Sequence, residues 1–468
     1  MRIFQPDQQD LSMKLNRIKL QNFRCFESLE VEFDPRLTVI VAENGVGKTT
    51  ILDAIATGFG RFLTKLPKVS GIASRETDIQ LEHGEVRAPF MSVLFDAEVK
   101  EPQSSALAVR WTVQRRRDAA AKTTKLMAAH LDPAMAGVGQ KQIDDYAARL
   151  TEADASGKTY FLPVIAYYGT NRAFPDAVQR RGSHKKQFSR FEALSGALQP
   201  DARFKSAFEW FSAMEDVERR QRDKRQDFAY HQPELSAVRH AIVSVLPVGF
   251  SNPRTEIRPL RFVIDQLTND GMTRTLRLSE LSDGFRVTLG LVMDLARRMA
   301  QANSSLSAGG HHIVNPLDLP AIVLIDEVDL HLHPKWQQII LTDLMRTFSS
   351  AQFIVTTHSP QVLSTVRREN IRVISQDVAG KALAVPPIAM TYGEPSGDVM
   401  HSVMQVDPQP PVIEREALQR LTEWVDQGQF GTADARRLQQ ELTTKLGEQH
   451  PQLQRLQRSI RRQLALNA

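Results

Sequence analysis

Leu37-Thr38-Val39-Ile40-Val41-Ala42-Glu43-Asn44-Gly45-Val46-Gly47-Lys48-Thr49-Thr50 is the stretch on which the fold class turns. Its first five residues form a nearly continuous apolar run of buried-strand length, and Ile51, Leu52, Ile55 and Phe59 then recur at helical spacing. The order is strand, glycine-containing loop, helix. Such a loop can wrap its backbone N–H groups around phosphates, while a lysine reaches the β and γ oxygens and a threonine hydroxyl ligates Mg²⁺. Here Asn44, Gly45, Val46 and Gly47 supply the cradle, Lys48 and Thr49 take the other two roles, and Thr50 continues into the helix. Ala42 stands where the pattern usually has its first glycine, so that position must avoid positive φ. Read alone, the loop leaves a plain glycine turn as the lesser alternative; the other motifs of the chain shrink it.

Two further apolar runs end in reactive side chains. Ala321 to Ile325 reads as a buried strand ending in Asp326-Glu327. A carboxylate there can hold Mg²⁺ through water, and its neighbour can orient or deprotonate an attacking water, although an acidic pair can also simply cap a strand. Gln352 to Thr356 ends in Thr357-His358-Ser359, which places His358 to hydrogen-bond a γ-phosphate. Ligands of α/β sheets bind at the carboxyl edge, where these ends would meet. Leu281-Ser282-Asp283-Gly284-Phe285-Arg286 opens a helix through Met299, and a helix N-terminus attracts anions. A helix is also expected over Lys335 to Phe348. His331 and His333 have no third ligand nearby and make a weak metal site. The βα alternation argues for an α/β fold with a mainly parallel sheet covered by helices.

At 468 residues, the chain has room for two to four structural units. With 42% apolar and 24% charged residues, wholesale disorder and fibrous architecture are poor readings. The formal charge of +5 is mild and matters for a polyanionic partner only where it is clustered. Two clusters exist, Arg180 to Lys186 and Arg219 to Arg225. Between them runs an amphipathic helical pattern with Phe204, Phe208 and Phe211 on one face and Trp210 beside it. Two readings stand: a solvated insertion whose aromatics are core, or a nucleic-acid-binding face. Cys25 is the sole cysteine, which excludes an intramolecular disulfide framework and fits a reducing, cytoplasmic setting. Met1 to Lys14 lacks the apolar run of a signal peptide, and no stretch approaches the ~20 apolar residues of a membrane span, so no membrane association is expected. The expected divisions are 1–117, 118–256 with a strand end at 160–172, 257–400, and a helical appendage at 408–468 after the linker Pro408-Gln409-Pro410-Pro411.

The order phosphate loop, Leu281 to Phe285, Asp-Glu, His across Ala42 to His358 resembles the ATP-binding-cassette (ABC) superfamily. The resemblance implies an ABC-type P-loop ATPase head with a helical insertion, using ATP and Mg²⁺. Leu281 to Phe285 is similar to the signature motif, with Asp and Phe where transporters usually have Gly and Gln. In that family Ser282 and Gly284 would cap the nucleotide of the opposite subunit, and Leu330 to His333 would be the D-loop. Asn171 substitutes for the Q-loop glutamine. Transporters are disfavoured because 234 residues separate Lys48 from Ser282. Chromosome-structure ATPases carry long heptad arms, and no sustained heptads appear here. Overcoming-lysogeny and Gabija ATPases look similar but carry a TOPRIM nuclease, whereas Ser359 to Ala468 holds no Asp-x-Asp pair. Nuclease activity is therefore not expected in this chain.

Within the superfamily the chain resembles the PtuA-type ATPases of Septu antiphage systems and of some retrons. Phe23-Arg24-Cys25-Phe26, Tyr167 to Arg172, Ser282 to Arg286, Asp326 to Pro334 and Gly447 to Pro451 carry the likeness. It implies that Arg24 joins the nucleotide site and that the chain forms a homodimer or higher oligomer. It further implies a separate HNH nuclease (PtuB) as partner and, in retrons, a reverse transcriptase with its RNA-linked DNA. The rival expectations are a RecF-like DNA-repair ATPase and an ATP-clamped scaffold that does not hydrolyse.

Overall fold

The computed structural model describes residues 12–82, 86–100, 105–172, 188–200, 204–257, 260–268, 270–304 and 315–466. Strands β1 (Ser12–Phe23), β2 (Phe26–Glu32) and β3 (Leu37–Val41) lead into helix α1 (Lys48–Thr64). Then come β4 (Phe90–Lys100), β5 (Leu107–Arg116), helices α2 (Ala121–His130) and α3 (Lys141–Ala155), and β6 (Val164–Tyr168). Helices α4 (Phe204–Arg225) and α5 (Pro233–Val245) precede the strands β7 (Phe250–Ile257), β8 (Leu260–Leu267) and β9 (Thr273–Arg277). Helix α6 (Asp283–Ala302) is followed by β10 (Ala321–Ile325), β11 (Gln352–Thr356), β12 (Ile371–Gln376) and β13 (Ala382–Val385).

The central sheet has the order β13-β12-β3-β11-β10-β6. All its pairings are parallel except β12 with the edge strand β13. Every residue of β3, β6, β10 and β11 is buried. A strand covered on both faces has no polar side to show, which is why these segments read as unbroken apolar runs. Because the strands are parallel, their carboxyl ends emerge along one edge, and the register sets Ile325 against Val355 and Thr356 against Ile40. Beside this lies an antiparallel sheet, β2-β1-β4-β5, and a three-stranded one, β7-β8-β9.

The segment expected as one helix over Lys335 to Phe348 is two, Pro334–Gln337 and Ile340–Thr347. The ladder slips at Ile339, whose N–H bonds the Trp336 carbonyl three residues back at 3.0 Å. On α4, Phe208, Trp210 and Phe211 are buried, and the Phe211 ring meets that of Phe262 with centroids 5.7 Å apart. These aromatics are core. Of the second basic cluster, Arg219 pairs with Asp216 and Arg222 with Glu218, Arg225 lies over the Tyr230 ring, and Arg220 and Lys224 are exposed. The first cluster, 180–186, lies outside the described residues.

Helix α6 is buried along most of its length and carries charge into the interior. The Asp294 carboxylate accepts from Arg297 at 2.7 Å, Arg298 at 2.6 Å and the Tyr168 hydroxyl at 3.0 Å. The i+3 and i+4 spacing brings both arginines onto the acid. Burial alone would raise the Asp294 carboxyl, yet the two guanidiniums hold it at about 2. Its stabilising contribution is therefore complete above the unfolded value of 3.8 and lost as pH falls through about 2. Asp294→Asn leaves two buried cations without their counter-ion and should lower the free energy of urea unfolding by about 3–5 kcal/mol. A loss below ~1 kcal/mol would show that the cluster is solvated in solution.

The chain divides into two compact units, Met1–Val399 and Met400–Ala468. The second is built from helices Arg415–Asp426, Ala433–Leu446 and Pro451–Leu466 around Leu418, Leu421, Val425, Leu442, Leu453 and Leu456. Among the described residues no helix is long and apolar enough to cross a membrane.

Candidate nucleotide site

The loop leaving β3 turns through Gly45 and Gly47, at φ +82° and +110°, values that an L side chain rarely adopts. Gly47 is also held by space, since a Cβ there would sit 2.6 Å from Cys25 Sγ and 2.7 Å from Phe26 Cζ. The β1–β2 turn thus backs the phosphate loop. Gly47 caps α1, so the first N–H groups of that helix open toward the loop. Lys48 is buried, and its Nζ donates to the carbonyls of Ala42 at 2.9 Å and Glu43 at 3.2 Å. Burial lowers its pKa, opposed by the nearby carboxylates of Asp326, Glu327 and Asp329.

The three parallel strand ends meet as the register requires. Thr49 Oγ1 donates to Asp326 Oδ2 at 2.8 Å, and Thr356 Oγ1 donates to Asp326 Oδ1 at 2.6 Å. Glu327 follows at φ +47°, its N–H bonded to Thr356 Oγ1 at 2.7 Å. Thr357 Oγ1 donates to Asp329 at 2.5 Å, and His358, half-buried, comes next along the same edge. A hydroxyl and a carboxylate converging on one point are hard oxygen donors of the kind Mg²⁺ takes, with phosphate oxygens and water completing its shell. Among the described residues no cluster of three His, Cys, Asp or Glu side chains offers a metal site of its own.

The other residues singled out in the sequence sit farther out. Arg24 occupies the β1–β2 turn at φ +50°, where its guanidinium binds Asp53 at 2.5 Å and Asp78 at 2.9 Å. Asn171 is exposed beyond the end of β6. Ser282 caps α6 without a side-chain cap bond, and a Cβ on Gly284 would lie 2.5 Å from the His331 carbonyl oxygen. The start of α6 therefore rests on the turn after β10. Among the described residues no hydrogen bond joins Ser282 or Gly284 to Lys48, Thr49, Asp326 or Glu327. Sequence reasoning missed two residues, Thr356 and Arg172. Thr356 was visible as the last residue of an apolar strand; Arg172 ends a quoted motif, and nothing local marks it as buried. A cavity of about 800 Å³ opens outside the loop, between Cys25, Phe26, Asn44 to Val46 and the β12–β13 hairpin at Gln376 and Lys381.

A family model described as an AAA domain matches residues 17–242. A second AAA-domain model, whose description names the AbiEii toxin and a type IV TA system, matches 170–364. The "Retron Ec83 probable ATPase" of Escherichia coli is 27% identical over 97% of this chain and 87% of its own length. The "Retron Vc95 probable ATPase" of Vibrio cholerae serotype O1 biovar El Tor is 25% identical over 91% of this chain and 85% of its own. The "Septu protein PtuA" of Bacillus mycoides (strain KBAB4) is 38% identical over 18% of this chain and 10% of its own. Among solved structures, the SMC head domain from Thermotoga maritima aligns with 80% of this chain and 100% of that one, at 15% identity and a TM-score of 0.39. The chain is thus similar over nearly its whole length to two probable ATPases of retrons and over a shorter segment to a Septu protein PtuA, and its α/β head brings a phosphate loop to an Asp-Glu strand end.

Proposed function

We propose that the chain binds and hydrolyses ATP in the head-to-tail homodimer of an antiphage defence complex. The observation that carries this reading is the meeting of Thr49, Asp326 and Thr356 beside Lys48, with Glu327 next along the backbone. Asn44 to Gly47 offer backbone N–H groups to the phosphates, with Thr50 in the first turn of α1, and Lys48 supplies the positive charge. Thr49 and Asp326 would hold Mg²⁺, which when bound neutralises charge on the transferred phosphoryl group. Glu327 accepts the proton of the attacking water, and His358 contacts the γ-phosphate. Ser282 and Gly284 complete the pocket of the second copy. The cavity against Cys25, with Arg24 in the adjoining turn, takes the nucleoside end, and Asn171 stands at the Q-loop position.

By the same likeness, the partner is a separate HNH nuclease, together with a reverse transcriptase and its RNA-linked DNA where a retron is present. The complex acts in the cytoplasm, and the 118–256 insertion and 408–468 appendage are its partner-facing regions. Exposed arginines support nucleic-acid contact: Arg220 on α4 and Arg455, Arg458, Arg461 and Arg462 on the last helix.

Cys25, the sole cysteine, lines the cavity and makes a direct reporter. Burial raises its thiol pKa, so labelling is followed with a thiol-specific methanethiosulfonate reagent at one fixed pH with and without nucleotide. ATP with Mg²⁺ should slow labelling at least ~10-fold, and steady phosphate release should accompany it. Protection without release would establish the scaffold instead, and an unchanged labelling rate would remove the nucleotide from this cavity.

A further inference from the structure

Arg172 is 2% exposed, yet among the described residues the hydrogen-bond partners of its guanidinium are all main-chain oxygens. Nη1 donates to the carbonyls of Asp326 at 2.6 Å, Gly169 at 2.9 Å and Tyr168 at 3.3 Å; Nη2 donates to that of Glu327 at 2.6 Å. Nε, also buried, has no partner among the described residues. Taking a guanidinium out of water is expensive, and burial lowers the Arg172 pKa to about 10 despite the carboxylates around it. The neighbouring void of about 10 Å³ is lined mostly by apolar residues, Val287, Leu291, Val328 and Leu330 among them, with the Thr288 hydroxyl as the one polar side chain besides Arg172 and no carboxylate. A cation kept there against that penalty and bonded to two strand ends has a positional use.

We propose that Arg172 is the positioning residue for Glu327. Residue 327 is gripped at both ends, its N–H by Thr356 and its C=O by Arg172 at 2.6 Å and by the Leu330 N–H at 3.0 Å, and between these anchors it holds φ +47°. For an L residue that left-handed conformation costs about 1–2 kcal/mol, and it persists only where the surroundings over-determine it. The backbone sets the direction of Cβ, so losing the shorter, charge-assisted bond from Arg172 leaves the carbonyl to the Leu330 N–H alone, lets residue 327 relax toward negative φ and carries its carboxylate away from the strand edge. The planar guanidinium spans four oxygens on two strands. A lysine concentrates its three donors on one nitrogen and cannot.

This inference rests on Glu327 activating the attacking water. The experiment is steady-state phosphate release by wild type, Arg172→Lys, Glu327→Gln and the double variant, with ATP protection of Cys25 measured in each. Arg172→Lys should lower kcat by about 10- to 100-fold while the KM for ATP stays within about threefold. In the double variant the rate should equal that of Glu327→Gln alone, because a residue that acts through a side chain has nothing to position once that side chain is changed. Multiplicative losses, or loss of Cys25 protection together with kcat, would overturn the role and make Arg172 a structural element of the head. Arg172→Gln, which keeps a planar donor, covers the case in which lysine is not tolerated; failure of both to fold would likewise assign the residue to the core. If Glu327→Gln leaves turnover unchanged while wild type hydrolyses, the reading of Glu327 fails, an outcome separate from any result on Arg172.

Discussion

Glu327→Gln should leave ATP bound and lower steady-state turnover by about 10²- to 10³-fold, the usual scale of a positioned general base. The substitution is isosteric. It leaves Lys48 on its loop carbonyls, Thr49 and Thr356 on Asp326, and the backbone anchors of residue 327 in place. Only the proton acceptor is lost, so Cys25 protection by ATP should persist while phosphate release falls. A variant that turns over within about twofold of wild type would remove Glu327 from the chemistry.

Lys48→Ala and Ser282→Arg should each abolish turnover by a different route. Lys48 brings a desolvated ammonium to the loop, and a charge in a water-poor site is worth far more than one at the surface. Its removal should weaken ATP binding by about 100-fold or more, read as loss of Cys25 protection. Ser282 heads α6, whose start rests on the turn at His331 and has no hydrogen bond to its own chain's Lys48, Thr49, Asp326 or Glu327 among the described residues. In the proposed dimer that helix end faces the other copy's triphosphate. Ser282→Arg should therefore keep Cys25 protection and lose phosphate release.

Much of the head was legible because a parallel strand buried on both faces leaves an unmistakable trace. Leu37 to Val41, Ala321 to Ile325 and Gln352 to Thr356 read as apolar runs, and the residues following each come together at one sheet edge. The signal weakens wherever a residue's role depends on partners distant in sequence. Asn171 follows Tyr167-Tyr168-Gly169-Thr170 at the place of a Q-loop glutamine, yet it is the next residue, Arg172, that the structure buries against carbonyls 154 and 155 residues away. Nothing in Asp326-Glu327 announces a glutamate at positive φ. Arg24 was read from its motif alone, and its carboxylate partners Asp53 and Asp78 come from α1 and from a short turn that carries no periodicity. The stripe on α4 shows the same limit: helical spacing puts Phe208 and Phe211 on one face with Trp210 beside it but leaves open whether they meet base or core, and the structure buries all three.

Mixing the two inactive variants, Lys48→Ala and Ser282→Arg, and following phosphate release tests the shared pocket most directly. Random exchange makes half of all dimers mixed, and each mixed dimer has one pocket with an intact lysine facing an intact signature, so activity should return to about a quarter of wild type. Variants that stay inactive when mixed, although they exchange subunits, would show that each chain completes its own site, and a Ser282→Arg chain that hydrolyses normally alone would remove the start of α6 from the pocket altogether.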